Sequence, residues 1–215
     1  MKQIFTLIIT IGAILIGLSK ALAQISFTEH PIVTNYNSWS VVAIDMDKDG
    51  DVDIVGSARL TSRIDWWEND GKQNFTRRAI SQNAPYAMGI SVADLDGDSD
   101  LDVVCGLNQI KKLKWYENDG KQNFVEHTIA DWVVDLVHVA DVNKDGWLDV
   151  LASACEQGDN KMGWFQNTGN KNFIEHVVKS NCIMPIAFML PTSIPMAIWI
   201  FWARLHFEPQ PPVAR

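Results

Sequence analysis

Trp66-Trp67-Glu68-Asn69-Asp70-Gly71-Lys72-Gln73-Asn74-Phe75 returns as Trp115-Tyr116-Glu117-Asn118-Asp119-Gly120-Lys121-Gln122-Asn123-Phe124. It returns again, in weaker form, as Trp164-Phe165-Gln166-Asn167-Thr168-Gly169-Asn170-Lys171-Asn172-Phe173. The closing phenylalanines Phe75, Phe124 and Phe173 are 49 residues apart in both intervals. A ten-residue match that returns in register is a structural repeat, and a period of this length belongs to solenoids, propellers or arrays.

A second motif keeps the same beat. Asp45-Met46-Asp47-Lys48-Asp49-Gly50-Asp51-Val52-Asp53 is followed by Asp94-Leu95-Asp96-Gly97-Asp98-Ser99-Asp100-Leu101-Asp102 and by Asp141-Val142-Asn143-Lys144-Asp145-Gly146-Trp147-Leu148-Asp149, with starts 49 and 47 residues apart. A fragment of the unit also comes earlier, since Phe27-Thr28-Glu29-His30 echoes Phe124-Val125-Glu126-His127 and Phe173-Ile174-Glu175-His176.

Each unit reads as short strands. Ser40 to Ile44 is β-branched and leads into the acidic loop, Val52 to Val55 follows it, and Arg63 to Glu68 alternates toward the tryptophans. Asn-Asp-Gly at 69–71 is a hairpin signal, and Phe75 to Ile80 makes a fourth strand. No segment carries a long helical period. Four short strands per unit predict an all-β chain of β-propeller blades, each of four antiparallel strands. About three blades are expected, at roughly 39–80, 88–130 and 136–178, with an extra outer strand at 27–33; three are too few to close a ring.

The acidic loops carry the chemistry. In D-x-D-x-D-G-x-x-D, side chains at the first, third and fifth places converge as the chain curls, the glycine permits the sharp turn, and the seventh place offers a backbone carbonyl. The last Asp closes the shell. Oxygen-only ligands on a flexible loop favour Ca²⁺ over transition metals. A solvated acidic turn is the bland alternative, because Asp and Gly are common turn residues; three loops in register with one ligand spacing argue against it. Ser99 replaces the glycine in the second copy, which makes its turn less ideal, and Asn143 removes a charge from the third, which is expected to bind more weakly. An EF-hand would need a Glu where this chain has Gly56, Cys105 and Ala152, and helices where it has strands.

Together these loops and their spacing resemble the FG-GAP/VCBS repeats, the calcium-loop blades also seen in the integrin α-chain head. The Trp-Trp/Tyr-Glu-Asn-Asp-Gly hairpin is similar to that of bacterial secreted members. The resemblance covers about residues 25–181. It implies a β-propeller with structural calcium between the inner two strands of each blade, and a binding or adhesion role more often than catalysis. The metal places carry over onto Asp45, Asp47, Asp49 and Asp53; Asp94, Asp96, Asp98 and Asp102; and Asp141, Asn143, Asp145 and Asp149.

The ends read differently. Met1 to Ala23 has the form of a secretory signal peptide, with Lys2, an apolar run from Ile4 to Leu18 and the small-x-small site Ala21-Leu22-Ala23. The mature protein is therefore expected to be secreted or held at the cell surface. Where the repeat calls for a fourth acidic loop, Cys182 to Trp202 is apolar and carries Pro185, Pro191 and Pro195. Twenty uncharged residues from Ile183 would be long enough for a membrane span, but three prolines weaken that reading. Shifting the codons by one frame forces Gly at Met196-Ala197 and Asp at Trp199-Ile200, three apart as Gly146 and Asp149 are. Residues 182–215 are thus expected to be an out-of-frame tail.

Composition now falls into place. The whole chain of 215 residues has net charge −8, but residues 24–181 hold 14 Lys/Arg against 25 Asp/Glu, a net −11, and thirteen of those carboxylates sit in the three loops. That charge excludes a general basic surface for nucleic acid, the apolar content excludes a disordered acidic tail, and three cysteines are too few for a disulfide scaffold. Trp66, Trp67, Trp115 and Trp164 recur at one place in each unit and are expected to pack between blades rather than stack on sugars. His30, His127 and His176 recur in strands and read as structural. A Cys105–Cys155 disulfide has nothing in the repeat to support it. Two functions remain: a secreted calcium-binding propeller that meets a protein or glycan partner, or a fragment of a calcium-dependent polysaccharide-acting enzyme on the same scaffold.

Overall fold

The computed structural model describes residues 27–154 and 161–180; the leader at 1–23 and the tail at 182–215 lie outside them, as does Cys155. The chain divides after Thr34. Residues 27–34 form no strand and are exposed, Phe27 almost wholly. The extra strand expected at 27–33 is therefore absent. A β-strand exists only on a partner's ladder of N–H and C=O groups, and these residues pair with no strand among the described residues.

From Asn35 onward the described chain is all-β, in three four-stranded antiparallel sheets. The first contains β1 (Ser38–Ile44), β2 (Asp53–Ala58), β3 (Arg63–Asn69) and β4 (Phe75–Ser81). The second contains β5 (Ala87–Ala93), β6 (Asp102–Leu107), β7 (Lys112–Asn118) and β8 (Phe124–Ala130). The third contains β9 (Leu136–Ala140), β10 (Asp149–Ala154), β11 (Lys161–Asn167) and β12 (Phe173–Ser180). Strands run in sequence order across each sheet, the up-and-down order of a propeller blade. The three sheets span residues 38–81, 87–130 and 136–180. Even the irregularities repeat, with the third-to-fourth strand register shifting at Ile64/Asp65, Leu113/Lys114 and Met162/Gly163. No helix among the described residues is long and apolar enough to cross a membrane.

Strand position sets burial. β6 and β10 are buried along their whole length, because they are inner strands with both faces covered. β4 and β8 lie at the outer edge and alternate with exposed residues. The paired aromatics of the repeat use the two-residue period of a strand to face opposite ways. Trp66 points into the core between the first and second blades, where it meets Ile64, Val103, Cys105 and Leu107. Tyr116, the counterpart of Trp67, enters that same core from the second blade. The pattern then steps forward: Trp115 and Phe165 face each other's blades in the second core, with Leu113, Val134 and Val150. Trp67 is buried as well, under the edge of the Tyr36 ring at 4.5 Å. Of the four tryptophans expected between blades, Trp66 and Trp115 therefore join blades, whereas Trp67 packs within its own blade. Trp164 is half-buried and stacks on His176 at 4.4 Å.

This step-forward packing makes each inter-blade core depend on one tryptophan from the preceding unit. Trp115→Ala is expected to cost about 3–5 kcal/mol, as large aromatic truncations in cores do. Trp164→Ala, at a half-buried site, is expected to cost less than half as much, measured by urea unfolding of the two variants.

Candidate metal centres

The three acidic loops join the inner two strands of each blade: β1 to β2, β5 to β6, and β9 to β10. Their backbone follows one plan. In the first loop Gly50 N–H donates to Asp45 Oδ2 (3.0 Å), Asp49 N–H to Asp47 Oδ1 (3.3 Å) and Asp51 N–H to Asp49 Oδ1 (2.9 Å). In the second, Ser99 donates to Asp94, Asp98 to Asp96 and Asp100 to Asp98. In the third, Gly146 donates to Asp141, Asp145 to Asn143 and Trp147 to Asp145. Each short side chain is therefore turned inward by a later amide of its own loop; Asp45 Oδ1 is left over in the first loop, whereas Asp94 and Asp141 accept on both oxygens.

The curl needs left-handed backbone at the fourth and sixth places. Lys48 and Gly50 have φ of 62° and 97°, Gly97 and Ser99 of 79° and 80°, and Lys144 and Gly146 of 64° and 92°. Ser99 thus takes the glycine's conformation with a Cβ present, at a cost of about 1–2 kcal/mol. The second loop moves its glycine to the fourth place and keeps its shape.

The ninth-place aspartates do more than close the loop. Asp53, Asp102 and Asp149 are completely buried. In each, Oδ2 accepts from the N–H of the loop's second residue, Met46, Leu95 or Val142, at 3.0 Å. Oδ1 accepts from the backbone of the repeat asparagine, Asn69 (2.7 Å), Asn118 (2.9 Å) or Asn167 (2.8 Å). The asparagine side chain completes the knot. Its Nδ2 donates to the loop's eighth carbonyl, that of Val52, Leu101 or Leu148. Its Oδ1 accepts from Gly71, Gly120 or Gly169. The seventh-place side chain lies over that hairpin glycine, where a Cβ on Gly120 would collide with the Asp100 carboxylate. The Trp-x-Glu-Asn-Asp-Gly motif and the acidic loop are therefore two halves of one structure. The asparagines were read in the sequence only as hairpin residues. The signal that could have found them is that Asn stays in all three copies while the next residue changes from Asp to Thr168.

The carboxylates gather unequally. Oxygens of Asp45, Asp47 and Asp49 lie within 4.8 Å of one another, as do those of Asp94, Asp96 and Asp102. The first cluster leaves out Asp53 and the second leaves out Asp98. The third loop brings no three such groups together: Asn143 takes the place of a carboxylate, and its Nδ2 donates to Asp145 Oδ2 (2.7 Å). Burial, then the charge of Asp49, raises the pKa of Asp47. Burial pushes the Asp102 carboxyl up to about 7, with Asp96 adding to the rise. Asp145 is held low by the Trp147 N–H and by Asn143. Asp45 Oδ1 is buried with no hydrogen-bond donor. An orphaned acceptor beside two further carboxylates suits a hard cation. The second cluster also meets a side chain from the third blade, Lys171, whose Nζ lies 3.4 Å from Asp96 and 2.7 Å from Glu117.

The recurrent histidines are structural in their contacts. His127 lies against Trp115 at 4.7 Å and shares a 2.7 Å hydrogen bond with Glu117; His176 pairs in the same way with Trp164 and Gln166. The Cys105 thiol is buried, and burial pushes its pKa up to about 12.

The fold and these loops define a repeat protein of β-propeller blades with acidic loops between the inner strands. Residues 47–105 match the FG-GAP-like repeat family. A solved structure is also similar, that of an Agrocybe aegerita lectin described as recognising non-reducing terminal N-acetylglucosamine. The likeness has 21% identity and a TM-score of 0.48, and covers 68% of this chain and 40% of the lectin chain. No curated protein matches the chain.

The knot can be tested apart from any metal. Asn118→Ala removes two hydrogen bonds at a nearly buried site and is expected to cost about 2–3 kcal/mol. Asn123→Ala, at the exposed hairpin tip, is expected to cost under about 1 kcal/mol. Urea unfolding in the presence of a chelator compares them.

Proposed function

We propose that the chain is a secreted β-propeller module that holds Ca²⁺ in its acidic loops and uses the stiffened blades to meet a protein or glycan partner. The observation that carries the calcium reading is the buried, donorless Asp45 Oδ1 beside Asp47 and Asp49. A cation there supplies the charge that the carboxylates lack from the protein. Asp45, Asp47, Asp49 and Asp53 would hold the first ion, and Asp94, Asp96, Asp98 and Asp102 the second. Asp141, Asn143, Asp145 and Asp149 would hold a third, more weakly, since Asn143 both lowers the charge and occupies Asp145. Oxygen donors on loops of this kind suit the ~10⁻⁴–10⁻³ M range of extracellular modules. The signal peptide reading supports export to a compartment where calcium is at that level. The knots at Asp53, Asp102 and Asp149 explain what the ion does for the protein: each loop is tied to its hairpin, so neutralising the loop stabilises the whole blade.

Free calcium at about ten times Kd adds about 1.4 kcal/mol for each occupied site. Two well-formed sites should therefore raise Tm by roughly 5–10 °C over the value in chelator. Asp45→Asn with Asp47→Asn should remove about half of that rise. Equal Tm with millimolar Ca²⁺ and with chelator would falsify the calcium reading.

A further inference from the structure

The described chain has four arginines, at 59, 63, 77 and 78. Arg63 and Arg77 sit on Asp65, and Arg78 sits on Glu68. Arg59 sits on no carboxylate among the described residues. It is held instead between two rings, with its guanidinium carbon 5.2 Å from the centre of Trp39 and 4.9 Å from that of Tyr86. Its Nε is buried and bonds nothing. Its terminal amino groups bond nothing among the described residues and stay open to solvent.

The clamp stands at a junction. Trp39 is the second residue of β1, Arg59 follows β2, and Tyr86 belongs to the link from the first blade to the second. Tyr86 has a left-handed φ of 53°, unusual for a bulky side chain. Its carbonyl accepts from Asn108 N–H, while Ala84 N–H ties the same link to the Ser62 carbonyl. All three residues lie at the end of the blades away from the acidic loops, which join the opposite ends of β1 and β2.

The repeat supplies an internal comparison. Arg59 stands six residues after Asp53 and Asn108 six after Asp102, while on the following blade Met88 stands six before Asp94 and Asp135 six before Asp141. At the second junction that pair is buried and closed, since Asn108 Nδ2 donates to Asp135 Oδ1 (2.8 Å) and Asn108 Oδ1 accepts from Val134 N–H (2.8 Å). At the first junction the same two places hold Arg59, with free donors, and the buried Met88, which offers it no carboxylate; the arginine lies instead beside Trp39, 41% exposed. The repeat is closed at one junction and open at the other.

We propose that Trp39, Arg59 and Tyr86 form a binding site for an acidic sugar, with its carboxylate on the Arg59 fork and its ring against the exposed side of Trp39. A planar guanidinium held between two aromatic rings keeps its fork pre-organised for a two-point carboxylate contact. Holding the side chain in place beforehand removes the ordering cost that a free arginine would incur on binding. The exposed indole gives a rigid, flat, amphipathic surface for the body of the ligand, and Ser38 and Thr61 set hydroxyl side chains in the adjoining chain. The site rests on the partner-binding role proposed above and is independent of calcium.

The test titrates the full chain with a glucuronate-terminated trisaccharide, with its methyl ester, and with an acidic tetrapeptide, by calorimetry and by the Trp39 indole N–H signal. The trisaccharide should bind and shift that signal. The ester, and the acid on Arg59→Gln, should each bind about tenfold more weakly or worse; Arg59→Lys should fall between. Tm of each variant confirms folding. Absent binding at millimolar acid, equal binding of acid and ester, no effect of Arg59→Gln on a folded variant, or preference for the peptide would each overturn the site. Saccharide binding that Arg59→Gln leaves intact would overturn this site while keeping the partner-binding role, and the calcium-dependent Tm in the same samples reports separately on the metal.

Discussion

A fully buried carboxylate with one backbone amide on each of its two oxygens is the constraint on which each blade depends. Asp53, Asp102 and Asp149 each join the start of the acidic loop, the first residue of the second strand and the last residue of the third. A buried charge is tolerated only when its lone pairs are met, so the loop cannot uncurl without leaving that charge exposed to an apolar interior. The rest follows from this knot. The repeat asparagine is held because the carboxylate takes its N–H, the hairpin glycine is held because the asparagine takes its N–H, and the seventh loop residue then packs on that glycine. In the third blade the residue so placed is Trp147, which lies against Gly169 of its own hairpin and also against Gly97 of the second loop. Loops two and three therefore touch through an indole.

Cores and loops divide the work. The inter-blade cores are built from alternating strand residues, and the step-forward placement of Trp66 and Trp115 lets one repeated sequence fill two different interfaces. The loops contribute little apolar area. Their role is to gather charge at the ends of strands whose positions the cores have already set. That separation explains why the three loops differ in ligand geometry while their blades keep one register: Asn143 and Ser99 alter the gathered groups without reaching the core.

Much of this was legible in the sequence because it is periodic. The ten-residue match and the acidic motif pointed to four short strands in each repeat, and the recurrence of the tryptophans pointed to inter-blade packing, which Trp66 and Trp115 show. The failures share one physical cause. Phe27 to Val33 has a strand's composition, but composition does not supply the partner ladder that makes a strand. The ninth aspartates read as ligands alone, since a linear motif cannot show that Asn69, Asn118 and Asn167 reach the same carboxylates from the far end of the third strand. Arg59 carried no signal at all, because an unrepeated residue in a repeat protein is invisible to a reading by period; its meaning comes from comparing Arg59 with Asn108 in space.

Asp102 carries the central claim, because it is both the knot of the second blade and one of the carboxylates gathered there. Calorimetric titration of calcium into the full chain and into Asp102→Asn, paired with urea unfolding of both in chelator, measures the two roles together. The account predicts that the variant loses one equivalent of calcium and, without any calcium, is less stable by about 2–3 kcal/mol, since an amide nitrogen replaces an oxygen facing a backbone N–H. A variant that binds as many calcium ions as the parent and unfolds at the same urea concentration would contradict it.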